Sequence, residues 1–294
     1  MEARWVGVAA SVSSSALYGV LFFLPPLLKP LTSGAIYGWR VLLTLMFLSG
    51  LFVVMRRGPS LVSTWGTITV SWQTGSAVVL NAGILAVQLW LFGWGPQSGH
   101  GLDVALGYLL LPIVMMATGV VLFHDEFGWL RAGALGMALI GAASAVLAAG
   151  QVSWATAVVA IGYPVYFTLR RRTGLDSIAV LWWELALSIP IAVAFLVTDG
   201  GVQAVLARPG LVAPLLLLGA VSAAALSMYL AASRRLSFTT FGILSYLEPI
   251  LLVVVSVLAL GESFTPADVL TYAPLAVALL LLAVDSRRAG PVKH

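Results

Sequence analysis

Apolar residues in this chain arrive in uninterrupted blocks of about twenty, and that block length decides which solvent the chain folds in. A helix rises about 1.5 Å per residue, so each block crosses the roughly 30 Å hydrocarbon layer of a bilayer once. Of the 294 residues, 61% are hydrophobic and 9% charged. A soluble domain carries about a quarter charged residues and could not cover its surface with so few. The blocks do not alternate polar with apolar over ten-residue segments, which excludes a membrane barrel. The fold class that follows is an all-α, multi-pass membrane protein.

Ten spans are read at Val6–Leu28, Ile36–Met55, Ile68–Trp90, Val104–Phe123, Leu130–Ala149, Val152–Leu169, Ile178–Val197, Leu211–Ala232, Phe238–Leu260 and Val269–Val284. The first block runs on through Leu28, longer than the apolar core of a signal peptide, and is read as a retained span. Lys and Arg favour the cytoplasmic side of short loops. With the amino terminus inside, Arg4, Arg56, Arg57, Arg131, Arg170, Arg171, Arg172, Arg234, Arg235, Arg287, Arg288 and Lys293 fall inside, and only Lys29 and Arg208 outside. Arg40 falls within a span. Both termini are therefore expected in the cytoplasm of a cell bounded by this plasma or inner membrane. The net charge of +4 is scattered in these small groups, which is topology signalling and not a nucleic-acid face.

The two halves echo each other. Residues 112–127 overlay 249–264 without a gap, pairing Pro112 with Pro249, Asp125 with Glu262 and Phe127 with Phe264. Tyr18 and Phe22 pair with Tyr163 and Phe167, and Trp39-Arg40 pairs with Trp183-Glu184 one residue out of step. Repeats of residues 1–150 and 151–294 with five spans each must enter the membrane in opposite senses, because five is odd. Inverted repeats of this kind build many secondary transporters, with the substrate near the midplane.

The run from Asp103 to Pro112 followed by Phe123-His-Asp-Glu-Phe127 resembles the fourth-span signature of RarD-type proteins, members of the drug/metabolite transporter superfamily with EamA domains. Tyr246-Leu-Glu-Pro249 with Leu260-Gly-Glu-Ser-Phe264 is similar to the matching signature in the second half. The resemblance covers nearly the whole chain. It implies ten helices in two inverted five-helix repeats, a central cavity, and export or exchange of metabolites such as amino acids or drug-like compounds. Two positions depart from the pattern: Leu111 stands where an Asn is usual before the fourth-span proline, and Gln88 where the third span often has Asn.

Ionisable groups inside a bilayer are costly and mark function by default. Arg40, Glu184 and Glu248 qualify. Arg40 and Glu184 occupy matching positions with opposite charge and could form a pair that breaks and re-forms during transport, a static pair, or two side chains reaching for the interface. Glu248 beside Pro249 could carry a coupling proton or meet a substrate ammonium; otherwise it is a solvated helix-end carboxylate. Pro112 and Pro249 each free a carbonyl one turn back and read as kinks, lining a cavity or aiding packing.

Tyr18, Tyr108, Tyr163 and Tyr246 lie deep and offer faces and hydroxyls to an organic ligand, or pack between helices. Asn81 and Gln88, about two turns apart, either touch substrate or bond a neighbouring helix. Trp5, Trp129 and Trp154 read as interface anchors. There is no cysteine, no His grouping with metal-ligand spacing and no nucleotide-binding fingerprint, so neither metal, cofactor nor ATP is expected. The expected partners are a small-molecule substrate, the lipid bilayer, and a coupling proton or ion. A secondary transporter is the leading reading. Its rivals are a non-transporting receptor or scaffold and a lipid-modifying enzyme, the last of which would cluster His, Asp or Glu at a membrane face.

Overall fold

The computed structural model describes residues 2–98, 100–125, 128–150, 152–251 and 266–288. Every regular element among them is helical. Chain order runs α1 (Glu2–Phe23), α2 (Ser33–Val54), α3 (Gly58–Thr69), α4 (Trp72–Gln97), α5 (Gly101–Phe123), α6 (Trp129–Ala149), α7 (Trp154–Thr173), α8 (Ile178–Leu187), α9 (Ile189–Thr198), α10 (Gly201–Ala207), α11 (Val212–Arg235), α12 (Phe238–Leu244) and α13 (Pro266–Arg288). Short 3-10 turns join α1 to α2 and α10 to α11.

Helix starts are written in the sequence. Thr32, Ser71, Ser177 and Ser237 each accept a bond from a first-turn amide, at 3.1 to 3.2 Å, and so cap α2, α4, α8 and α12. Such caps are worth about 1 kcal/mol each.

Among the described residues, six helices are long and apolar enough to cross a membrane by themselves: α1, α2, α4, α5, α6 and α11. The predicted seventh span is split into α8 and α9 with a 42° bend, and counts as one more if taken as a broken span. The break has a local cause. Pro190 brings no amide hydrogen, and its ring would collide with a carbonyl one turn back. The Ser188 amide bonds the Leu185 carbonyl at 3.0 Å, and its hydroxyl takes up the Glu184 carbonyl at 2.9 Å.

The third predicted span is corrected at its start. Ile68 belongs to α3, and the membrane-length helix begins at Trp72 after the Ser71 cap. The ninth is apolar over Phe238–Leu251 with a turn at Ser245 and Tyr246, and its remainder lies outside the described residues. Of the repeat pairings, Phe127, Glu262 and Phe264 also lie outside them, as does Lys293.

By packing, the chain divides into two compact units, each drawing on both halves. The first comprises Met1–Gly19, Leu102–Pro164 and Ala231–His294; the second comprises Val20–Gly101 and Val165–Leu230. The chain passes between them four times, within α1, at the start of α5, within α7 and near the end of α11.

In the first unit, α6 and α13 run antiparallel. Arg131 meets Asp285 at 3.0 Å towards one end, and the Ser144 and Thr271 hydroxyls meet at 3.0 Å towards the other. Between them Ala134, Ala138, Leu275 and Ala278 share a core with Leu106, Leu109 and Met116 of α5. A Cβ on Gly141 would fall 2.6 Å from the Thr271 carbonyl oxygen, so a glycine is needed for that approach. In the second unit, α2 packs on α9 at Gly38, where a Cβ would fall 2.6 Å from the Ala192 carbonyl oxygen. There α4 lies against α2 and α8, while α3 lies against α4 and α8. Trp183 lies against Trp65, ring centres 4.4 Å apart and planes tilted by 34°, and its indole donates to the Leu61 carbonyl.

Candidate functional site

The second unit holds two buried polar groups in an otherwise apolar interior. The first forms where α7 ends and α8 begins. Glu184 sits on the second turn of α8 with its carboxylate fully buried. Its Oε2 accepts from Arg170 Nη1 at 2.6 Å and from the Tyr166 hydroxyl at 2.8 Å. Tyr166 and Arg170 stand four apart on α7, hence on one face. Nη1 also donates to the Tyr166 oxygen, and the guanidinium lies over that ring, 5.2 Å from its centre. Arg170 Nη2 donates to the Ser177 carbonyl at 2.7 Å, and Nε stands 3.7 Å from Asp176. Asn81 of α4 lies against the same carboxylate. The arrangement fastens α7 to α8 across the loop of residues 174–177. A buried pair of this kind is costly to break, because either partner alone is an uncompensated charge.

The second group centres on Arg40. It too is buried, at 3% exposure. Nε donates to Ser222 of α11 at 2.7 Å, and the guanidinium lies 5.2 Å from the centre of the Phe92 ring of α4. Nη2 has no hydrogen-bond partner among the described residues, nor has the Thr44 hydroxyl one turn further along α2. The pairing of Arg40 with Glu184 that matching repeat positions suggested is not formed. Glu184 is held by Arg170 of its own half, and Arg40 turns to Ser222 and Phe92.

Both groups adjoin one face of α4. Asn81, Gln88 and Phe92 follow one another at helical spacing, and Asn81 and Gln88 are both buried. From Asn81 to Phe92 is about 16 Å along the axis.

The first unit holds the remaining candidates. Tyr108 and Tyr163 face each other with ring centres 6.5 Å apart. Tyr18 is buried on α1. Tyr246 is fully buried at the turn after α12, and its hydroxyl has no partner among the described residues. Glu248 and Pro249 follow in a buried stretch, and the Glu248 amide bonds the Ser245 carbonyl at 3.2 Å. That carbonyl is the one Pro249 cannot engage. Pro112 lies inside the continuous α5, and α12 comes close to it: a Cβ on Gly242 would fall 3.0 Å from its carbonyl oxygen.

Two members of the charged cluster were not singled out by sequence. Arg170 belongs to a run of three arginines whose position marks the cytoplasmic side, and Tyr166 is one aromatic among many in the apolar blocks. The four-residue spacing of an aromatic and an arginine on a helix that faces an acidic one was the available signal. Nothing in the sequence distinguishes Ser222.

Comparison with known proteins agrees with this architecture. The chain is 37% identical to the chloramphenicol-sensitive protein RarD of Pseudomonas aeruginosa, over 96% of this chain and 95% of that one. The chain is a RarD-type member of the drug/metabolite transporter superfamily. The EamA-like transporter family matches residues 143–284. An uncharacterized transporter of Haemophilus influenzae is 30% identical over 98% of this chain and 95% of its own, and the protein RarD of Streptomyces exfoliatus 23% identical over 96% and 89%. A crystal structure at 15% identity superposes with a TM-score of 0.70, covering 97% of this chain and 99% of that one, which speaks for the fold alone. This RarD-type chain is thus a multi-pass transporter of the membrane, and its substrate is a small molecule.

Proposed function

We propose that this RarD-type protein is a secondary transporter, an exporter or exchanger of small metabolites such as amino acids or drug-like compounds. It works by alternating access about a central cavity between two inverted five-helix repeats, residues 1–150 and 151–294. Ten spans are required. Beyond the six long helices and the broken α8–α9 span, the remaining three are α7, the segment beginning at α12, and α13.

The observation that carries this reading is where the chain changes unit. It leaves the first unit after Gly19 in α1 and after Pro164 in α7, in each case one residue beyond a tyrosine of the matched pair Tyr18 and Tyr163. It returns after Gly101 and after Leu230, near the end of the third span of each repeat, so both halves divide in the same order. The second and third spans of each repeat belong to one unit, the fourth and fifth to the other, which is what two intertwined copies of one motif would give.

With both termini in the cytoplasm, Arg170 and Glu184 stand near the inner end of their helices and Arg40 about two turns from the outer end of α2. The Arg170–Glu184 cluster then acts as a lock on the inner side, released when the bound state favours opening. A candidate for the coupling proton is Glu248. The tyrosines and Gln88 are the remaining substrate contacts.

The test is counterflow in proteoliposomes with radiolabelled amino acids and chloramphenicol-like compounds. Saturable exchange that is lost in Glu184→Gln, with the protein still folded, supports transport through a charged gate. Wild-type vesicles no more permeable than empty ones to any compound tried would overturn it.

A further inference from the structure

The second unit contains three carboxylates, and each is already engaged. Glu184 and Asp176 face Arg170, while Asp199 accepts from Thr32 at 2.5 Å and from Thr198 at 3.1 Å. No carboxylate stands within ion-pair distance of Arg40 among the described residues. A buried guanidinium without a counter-charge is unfavourable, and proteins keep one only when something compensates it. Ser222 occupies a single donor, and the Phe92 face offers only a weak attraction. One more donor, Nη2, and the Thr44 hydroxyl from the next turn are left over.

We infer that Arg40 is the anion site of this transporter and takes the carboxylate of a small organic substrate. Nη2 and the Thr44 hydroxyl supply two donors from adjacent turns of one helix, enough for the two oxygens of one carboxylate. Guanidinium–carboxylate hydrogen bonds are charge-assisted and roughly twice as strong as neutral ones. A single cation matches a monoanion. A phosphate dianion would leave a second charge with no partner in the interior. The ring of Phe92 lies alongside, ready to flank an apolar body next to the carboxylate. That the ligand is cargo rests on the transport reading above; that it binds does not.

The full-length protein in detergent is assayed by thermal unfolding with benzoate, its neutral isostere benzamide, and inorganic phosphate as probes. Benzoate should stabilise saturably and the other two should not, since only a ligand that prefers the folded state raises the transition. Arg40→Gln should abolish the benzoate response, and Thr44→Val, which keeps side-chain shape, should weaken apparent affinity about tenfold, as for a lost bond to a charged group. Thr44→Val keeps the test decisive should Arg40→Gln fail to fold.

Equal stabilisation by benzoate and benzamide, a response to phosphate instead, or a benzoate response unchanged in Thr44→Val overturns the inference. Proteoliposome flux separates the two readings. Transport of a cargo without a carboxylate, indifferent to Arg40→Gln, would sink the anion site and leave transport standing. Arg40-dependent benzoate binding without flux of any compound would do the reverse.

Discussion

Of three consecutive arginines at the end of α7, one turns inward and two remain at the surface side. Arg170 is wholly buried against Glu184, whereas Arg172 is exposed. Arg170→Ala should therefore cost about 3–5 kcal/mol of stability, since it strands a buried carboxylate. Arg172→Ala should fall within about 0.5 kcal/mol of wild type. Tyr166→Phe, which removes the hydroxyl that bonds both Glu184 and Arg170 but leaves the ion pair in place, should lie between, at about 1.5–3 kcal/mol. Denaturant unfolding in detergent ranks the three.

Glu248→Gln addresses coupling. Flux in that variant should no longer respond to an imposed pH gradient, and retained dependence at an unchanged rate would remove Glu248 from the proton path. Sequence alone could nominate Arg40, Glu184 and Glu248, because a charge inside an apolar block is conspicuous. It could not assign partners. Arg170 lies at a block's edge, where a positive charge is ordinary, so only the turn of α7 that points it at α8 reveals its role.

At the scale of elements, the long spans were legible because block length and bilayer thickness must agree. What escaped was short. The helices α3 and α10 occupy stretches that read as connections, and α3 claimed Ile68 from the predicted third span. The break between α8 and α9 was foreshadowed by Pro190 but not by composition, which stays apolar through it. Close helix approach was readable only as a general abundance of small residues. Two glycines of α2 make the distinction measurable. Gly38→Ala places a methyl against the Ala192 carbonyl and should cost about 1–3 kcal/mol through overpacking. Gly50→Ala meets nothing within 4 Å and should be neutral or stabilise by up to about 1 kcal/mol through helix propensity. Paired melting curves decide it.

For the whole molecule, orientation rests on the distribution of basic residues, and the absence of native cysteine makes it easy to check. A single cysteine added at either end should react with a membrane-impermeant maleimide only after the vesicle interior is exposed, and both should behave alike. Opposite behaviour of the two ends would mean an odd number of spans and would end the inverted-repeat reading. The proposed repeat rests on matched prolines and aromatics in the sequence, whereas the way the chain is shared out between the two units could not be read there. Which spans gather into a compact body depends on side-chain packing between segments far apart along the chain, and an apolar block looks much the same whichever neighbour it has.

That sharing has a consequence for biosynthesis. The second unit cannot close until the ribosome has passed residue 230, and the first still awaits its last helix. Neither body is complete at the midpoint of translation, so the early spans must rest in lipid or against insertion machinery with their polar residues, Arg40 and Asn81 among them, still lacking the partners that later helices bring.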